Sequence, residues 1–417
     1  MTRRLLMLSL FPVVLLFLAP EVMAEKGRIY GKIHTGRGDV LEGVIRWDKN
    51  EASWDDLLDG NKERTEGEKR PTRRKYSDDE RDVKVSLFGV TLYSEGSGWG
   101  SMAQSAIAFG HLKTLTPGGD DAVELLLKGG QKVVFESGST DFGSGIREIV
   151  VETKNEGELE LDWNDIDYIE FADGGEGQSN FGDRIYGTVT TSRAGEFTGW
   201  ICWDMDELFM TDVIDGSEHG RTRKIKFSQI AKIERISSQA SMLTLKDGQT
   251  IRLDDSNDID SGNRGIVVSD RKMGRVIIPW DEFEQLEIKP PAAEAVVRYV
   301  DFDGGRPITG TVFDESGDKY SGSICWDNDE EYTWEILDGS YRGVEFDIPF
   351  ECIKSIEKDS RRSSQVTLWD GRTFRLRDSN DVNDENKGVF IRTKEGTKSN
   401  ETDLEWDDFA RVEFTQK

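Results

Sequence analysis

The chain has 417 residues, with 54 Lys and Arg against 81 Asp and Glu, and a formal net charge of −27. Such a charge disfavours nucleic acid and anionic lipid as general partners and leaves cations and basic surfaces as the natural ones. At 36% hydrophobic and 10% aromatic residues the chain still has material for packed cores, so global disorder is not expected.

The first 24 residues read as a separate object. Arg3 and Arg4 precede an apolar run from Leu5 to Ala19, and Val22-Met23-Ala24 forms a small-x-small cleavage signal before Glu25. This pattern predicts a secretory signal peptide over 1–24 and a periplasmic or secreted mature chain. An apolar run of about 15 residues is short for a membrane span, and no transmembrane segment is expected in the mature chain. Loss of Arg3, Arg4 and Glu21 shifts the formal charge from −27 to −28. The remaining chain, roughly 390 residues, predicts two to four domains.

Internal repetition sets the organisation. "RIYGKIHTGRGDVLEGVIRWD" (Arg28–Asp48) matches "RIYGTVTTSRAGEFTGWICWD" (Arg184–Asp204) and "PITGTVFDESGDKYSGSICWD" (Pro307–Asp327). Each is followed, 13 residues after its Trp, by the Gly of a paired-apolar-Asp-Gly element ending at Gly60, Gly216 or Gly339. A finer repeat, aromatic, two polar, apolar, two polar, apolar, starts at Phe109, Trp163, Phe227, Trp280, Phe350 and Trp406. It predicts a single helical turn leading into a short strand. Between these endings the apolar residues alternate, the mark of half-buried strands. Asp247-Gly248, Asp370-Gly371 and Gly129-Gly130 interrupt the alternation as tight hairpins, since Gly tolerates positive φ.

Six modules in three pairs follow, each with about five short strands and one helical turn. This pattern resembles SH3-like and Sm-like small β-barrels, and uncharacterised bacterial exported proteins built of tandem repeats of them. The resemblance implies an all-β chain of three units, each of two small barrels, and carries no activity. Units are expected at 28–172, 182–289 and 300–417, separated by linkers at 173–181 and 290–299, where "DGGEGQSN" and "KPPAAE" are Gly-rich and Pro-rich.

The first unit differs by an insertion at about 61–99. It begins with a mixed charged run and continues as an apolar, Gly-rich stretch holding Leu87, Phe88, Tyr93 and Trp99. A long insertion of this kind predicts a partner-docking element; the bland alternative is one extra hairpin.

Four groups of residues bear on chemistry. The loops "RLDDSNDIDSGNRG" (Arg252–Gly265) and "RLRDSNDVNDENKG" (Arg375–Gly388) concentrate oxygen donors, which makes Asp255, Asn257, Asp258, Asp378, Asn380 and Asp381 candidate calcium ligands. Their spacing does not match an EF-hand. Asn and Asp also build turns, and the apolar residue after the Asp (Phe142, Ile259, Val382) suits a packing anchor, so a turn device and no cofactor is the expectation. Trp47, Trp203 and Trp326 share a strand face with Ile45, Ile201 and Ile324 and are expected in the core. Trp54, Tyr332 and Trp334 fall at less regular positions and are expected as exposed aromatics able to stack on a glycan. The carboxylates after each Trp (Asp48 and Glu51; Asp204, Asp206 and Glu207; Asp327, Asp329, Glu330 and Glu331) are expected in solvated loops rather than as a glycosidase pair.

His34, His111 and His219 occupy unrelated positions, so neither a zinc site nor a His-based triad is expected. Cys202 and Cys325 hold equivalent strand positions, and a Cys325–Cys352 pairing is left open. The function expected is that of a non-enzymatic exported binding or scaffold protein of the cell envelope, with an envelope protein or a glycan as partner. One alternative is a carbohydrate-binding or carbohydrate-active protein, and another is a calcium-dependent adhesin-like module.

Overall fold

The computed structural model describes residues 27–63, 84–87, 90–93, 102–136, 139–174, 179–395 and 398–416; the expected signal peptide, 1–24, lies outside them. The described chain is all-β, with strands joined by tight turns and isolated 3-10 turns and no α-helix. No helix among the described residues is long and apolar enough to cross a membrane.

The first segment, 27–174, supplies twelve strands. They are β1 (Tyr30–Thr35), β2 (Val40–Trp47), β3 (Leu57–Glu63), β4 (Lys84–Leu87), β5 (Val90–Tyr93) and β6 (Met102–Ala108), then β7 (Leu112–Pro117), β8 (Ala122–Leu127), β9 (Lys132–Glu136), β10 (Ile149–Thr153), β11 (Gly157–Leu161) and β12 (Ile166–Phe171). Ten of them form one open antiparallel sheet in the order β11-β10-β2-β1-β12-β7-β8-β9-β3-β6. β4 and β5 pair only with each other.

The same order recurs twice within a second, twenty-stranded sheet. The register shows the equivalence: first and last strands pair with Gly31 facing Phe171, Gly187 facing Ile288 and Gly310 facing Phe414. The Trp-bearing strands pair with Ile45 facing Val151, Ile201 facing Val268 and Ile324 facing Ile391. The second segment (179–289) and the third (290–416) are fused edge to edge by Gly274–Ile278 and Val344–Pro349, where Arg275 faces Asp347.

This topology revises the expected partition into consecutive modules. One half of a ten-stranded sheet, β11, β10, β2, β1 and β12, draws strands from both ends of its segment, and the other half, β7, β8, β9, β3 and β6, comes from the stretch between them. The sheets are open. The aromatic repeat therefore marks a recurring local turn and not a domain boundary. That turn is a 3-10 turn at Phe109–His111, Trp163–Asp165, Phe227–Gln229 and Phe350–Cys352. Its aromatics do pack inward. Trp47, Trp203 and Trp326 are fully buried and meet Trp163, Trp280 and Trp406 edge-on at 6.0–6.2 Å between ring centroids.

The three segments touch one another pairwise. Arg184 of the second donates to Asp56 of the first at 3.1 and 3.2 Å, and both are buried. Val44, Ala52 and Val150 pack with Phe181, Phe209 and Val267. Between first and third, the Phe302 ring lies over Gly110, where a Cβ would stand 2.1 Å from it; only glycine leaves room. The stretch 289–294 is exposed, but Val297 enters the first segment's core and the Tyr299 hydroxyl donates to the Leu112 carbonyl at 2.8 Å. The spacer read from "KPPAAE" is thus short and ends in an anchor. The cysteines are free thiols, all buried.

Candidate metal centre

After each Trp-bearing strand the chain turns sharply. Trp47 and Glu51 exchange backbone hydrogen bonds at 2.8 and 3.0 Å, as do Trp203 with Glu207 (2.9 and 3.0 Å) and Trp326 with Glu330 (2.8 and 3.0 Å). Two successive residues in each turn are left-handed without being glycine: Asp48 and Lys49 (φ 41° and 70°), Asp204 and Met205 (48° and 61°), Asp327 and Asn328 (44° and 70°). Strain of this kind, about 1–3 kcal/mol per residue, persists only where the surroundings over-determine it.

The acidic loop supplies those surroundings. The indole Nε1 of Trp47, Trp203 and Trp326 donates to the backbone carbonyl of Asp141, Asp258 and Asp381 at 2.7, 2.8 and 3.0 Å. The Oδ2 of the same aspartates accepts the backbone N–H of Asp59, Asp215 and Asp338 at 2.7, 2.8 and 3.0 Å. One aspartate per loop is fastened at both ends and carried inward. The turn aspartate is held from the other side. Asp48 accepts the backbone N–H of Arg147 and its guanidinium at 3.1 and 2.9 Å, Asp204 accepts Arg264 at 3.0 Å, and Asp327 accepts the backbone N–H of Lys387.

The result is a nest of carboxylates under each Trp-Asp turn. Most of these side chains are buried. Asp48 and Asp141 are 0% exposed, Glu51 2% and Glu330 6%, with Asp204, Asp258, Asp327 and Asp381 also buried and Glu207 half-buried. In the first nest the Trp indole and the acidic loop close the turn over the carboxylates, whereas Asp206 and Glu207 of the second reach the surface in part. Oxygens of Asp48, Glu51 and Asp141 all lie within 4.8 Å of one another, and so do those of Asp204, Asp206 and Glu207. Glu51 Oε2, Asp141 Oδ1, Glu207 Oε2 and Glu330 Oε2 receive no hydrogen bond from the protein.

Like charges at this spacing resist joint ionisation. Burial first, then the neighbouring carboxylates, push Glu51, Asp141, Glu330 and Asp381 well above the carboxylate range. For the same reasons Glu207 stands at about 10. Asp327, buried beside Asp329, stands at about 8, and Asp258, raised mainly by burial, at about 6. A nest can relieve this in two ways, by keeping protons or by holding a hard cation.

The third nest has a resident cation nearby. Lys62 of the first segment donates to the Asp329 carbonyl and to Glu335. Burial alone would push its ammonium down, but the charges of Glu335, Glu330 and Asp329 hold it above the usual lysine range.

The residues singled out in sequence separate in space. Asp258 and Asp381 belong to nests. Asn257 and Asn380 reach across with their amides to Asp204 and Asp327. Asp255 and Asp378 are exposed at left-handed turn positions (φ 58° and 64°), outside the nests. Trp54 and Trp334, expected at the surface, are buried. Trp54 packs at 4.6 Å on the Tyr299 ring, and Trp334 of the third segment joins the first segment's core, because intersegment contacts cover both. Tyr332 is half-buried against the same core. Leu87 and Tyr93 end the β4–β5 hairpin, and Phe88 and Trp99 lie outside the described residues. The residues that sequence reading misplaced are Asp48, Glu51 and their counterparts. Their signal was available: an Asp one residue and a Glu four residues after the Trp, in all three repeats.

No protein-family model matches this chain, and no curated protein matches it.

Proposed function

We propose that this chain is a non-enzymatic exported protein, a binding or scaffold component of the cell envelope, built of three tandem units whose half-sheets are of the SH3-like type. Export rests on the N-terminal pattern of Arg3, Arg4, the Leu5–Ala19 run and Val22-Met23-Ala24. The observation that carries the reading is threefold repetition: one strand order and one doubly fastened aspartate recur in all three segments. Repeated surfaces suit a scaffold, because weak identical contacts add through multivalency.

The glycan alternative has less support. With Trp54 and Trp334 buried, only the half-buried Tyr332 remains of its stacking platform. Hydrolysis by the nests would need a sugar between carboxylates that are closed off by the Trp turn. The docking element we assign is the first segment's insertion, which has no counterpart where Val213–Glu218 and Arg221–Lys226, or Ile336–Tyr341 and Val344–Pro349, are joined directly.

The test compares the mature chain with a deletion of residues 64–101, which spares the buried Lys62. Both are used to capture components from the native envelope, beside a glycan array and a panel of hydrolase substrates. Saturable capture of one envelope protein by the full chain, lost in the deletion at unchanged melting, is expected. Substrate turnover abolished by a single carboxylate substitution would overturn the reading, and saturable glycan binding would transfer it to the alternative.

A further inference from the structure

We propose that the first and second nests are calcium sites, formed by Asp48, Glu51 and Asp141 and by Asp204, Asp206 and Glu207, and that the third is neutralised by Lys62 instead. The inference goes beyond the scaffold reading and does not depend on it.

Three observations carry it. The first is reach. Calcium binds carboxylate oxygens at 2.3–2.6 Å, so two oxygens on one ion stand at most about 5 Å apart. The oxygens of both nests meet that limit, at 4.8 Å or less. The second is an unanswered donor set. Glu51 Oε2 and Asp141 Oδ1 belong to side chains 2% and 0% exposed, and neither has a hydrogen-bond donor. Such groups are rare in native folds and call for a proton, a water or an ion. The third is charge. In the first nest Asp48, Glu51, Asp141 and Asp59 face Arg147 and a shared Arg275. In the second, Asp204, Asp206, Glu207 and Asp258 face Arg264.

The donor set names the cation class. Carboxylate oxygens are hard ligands and select calcium or magnesium over softer metals. Magnesium demands a near-ideal octahedron and keeps several waters, whereas calcium accepts mono- and bidentate carboxylates in irregular geometry. A nest closed by an indole and a strained turn suits calcium. The third nest supplies the contrast. The same residues are present, but Lys62 inserts its charge from the first segment. A calcium ion and that ammonium would repel each other there.

Terbium is the direct probe, since it replaces calcium and its luminescence is sensitised by a nearby indole. Trp47 and Trp203 each bond to the acidic loop of a proposed site. Chelator-treated mature chain is titrated with terbium and then with calcium or magnesium, with excitation through tryptophan. Expected are two sensitised ions per chain, displaced by calcium far more readily than by magnesium. Glu51→Gln and Glu207→Gln each remove one ion, the double variant removes both, and Glu330→Gln removes none. The amide keeps the shape of a protonated carboxyl, so if the nests merely hold protons these variants melt at or above the wild type and bind as it does. No sensitised luminescence in the wild type overturns the proposal, as does luminescence that survives in the double variant. Melting in calcium against chelator gives a second reading. The wild type gains several degrees and the double variant gains none; equal gains would assign the effect to the acidic surface and overturn the sites.

Discussion

The nests and the junction of the three segments both bury charge, but they balance it differently. At the junction two carboxylate clusters meet cations, while Asp55 beside His111, Arg271 and Glu351 keeps both oxygens without a hydrogen bond. Arg275 of the second segment donates to both oxygens of Asp59 in the first at 2.9 Å and to Asp347 in the third at 2.7 Å. Nearby, Glu351 of the third segment faces His111 of the first at 3.3 Å and Arg271 of the second at 2.7 Å. Each cluster thus draws one member from each segment, and its charges are satisfied within the chain. The nests gather carboxylates from a single segment and leave oxygens unanswered. Paired buried charge fixes how parts of one chain fit together, whereas unpaired buried charge points to something outside the chain.

The sharpest way to break the comparison is to unbalance the junction. Arg275→Met keeps most of the volume but leaves the buried Asp59 and the half-buried Asp347 without their guanidinium. Removing one partner of a buried ion pair costs about 3–5 kcal/mol. Chemical denaturation of residues 25–417 should show a loss of that size, together with earlier proteolysis between segments. A loss under about 1 kcal/mol, the scale of an exposed pair, would mean that the junction is not held by its charges.

Acid should act on the junction through Glu351. Burial alone would raise this carboxyl, but the His111 hydrogen bond and the Arg271 charge outweigh it and hold the group at about 2, below its ordinary 4.5. Its folded value is therefore below its unfolded value. The stability it contributes is fully present above about pH 4.5 and is lost as pH falls toward 2. The shift corresponds to on the order of 3 kcal/mol. Glu351→Gln should flatten the stability profile between those pH values. An unchanged acid limb in this variant would assign acid sensitivity elsewhere.

Much of the fold was legible in the sequence. Period-two alternation and the Gly-containing hairpins at Gly130, Gly248 and Gly371 placed the strands, because local backbone preference decides those features. The three Trp-Asp strands were legible for the same reason. The interleaving of half-sheets was not, since the pairing of β1 with β12 joins residues about a whole segment apart and leaves no local mark. Trp54 and Trp334 were misread because what buries them is another segment. The nests were half legible. The acidic loop stood out through its density of Asp and Asn, but the turn carboxylates were lost among 81 acids. Only the fold shows that Trp47 ties Asp141 to the turn that carries Asp48 and Glu51.

The smallest expected effect separates the loop from the nest. Asp255 and Asp378 are the loop carboxylates that best resemble calcium ligands in sequence, yet both are exposed at positive φ. Asn tolerates the left-handed region as well as Asp does, so Asp255→Asn and Asp378→Asn remove charge without straining the turn. Surface changes away from special features stay within about 0.5 kcal/mol. The double variant should therefore melt like the wild type and keep two sensitised terbium ions with the same calcium competition. If it loses an ion while Glu51→Gln and Glu207→Gln do not, the ligands lie on the outer face of the loop and the nests are proton stores. If it keeps both, the repeated loop is a turn device whose task is to carry one aspartate inward.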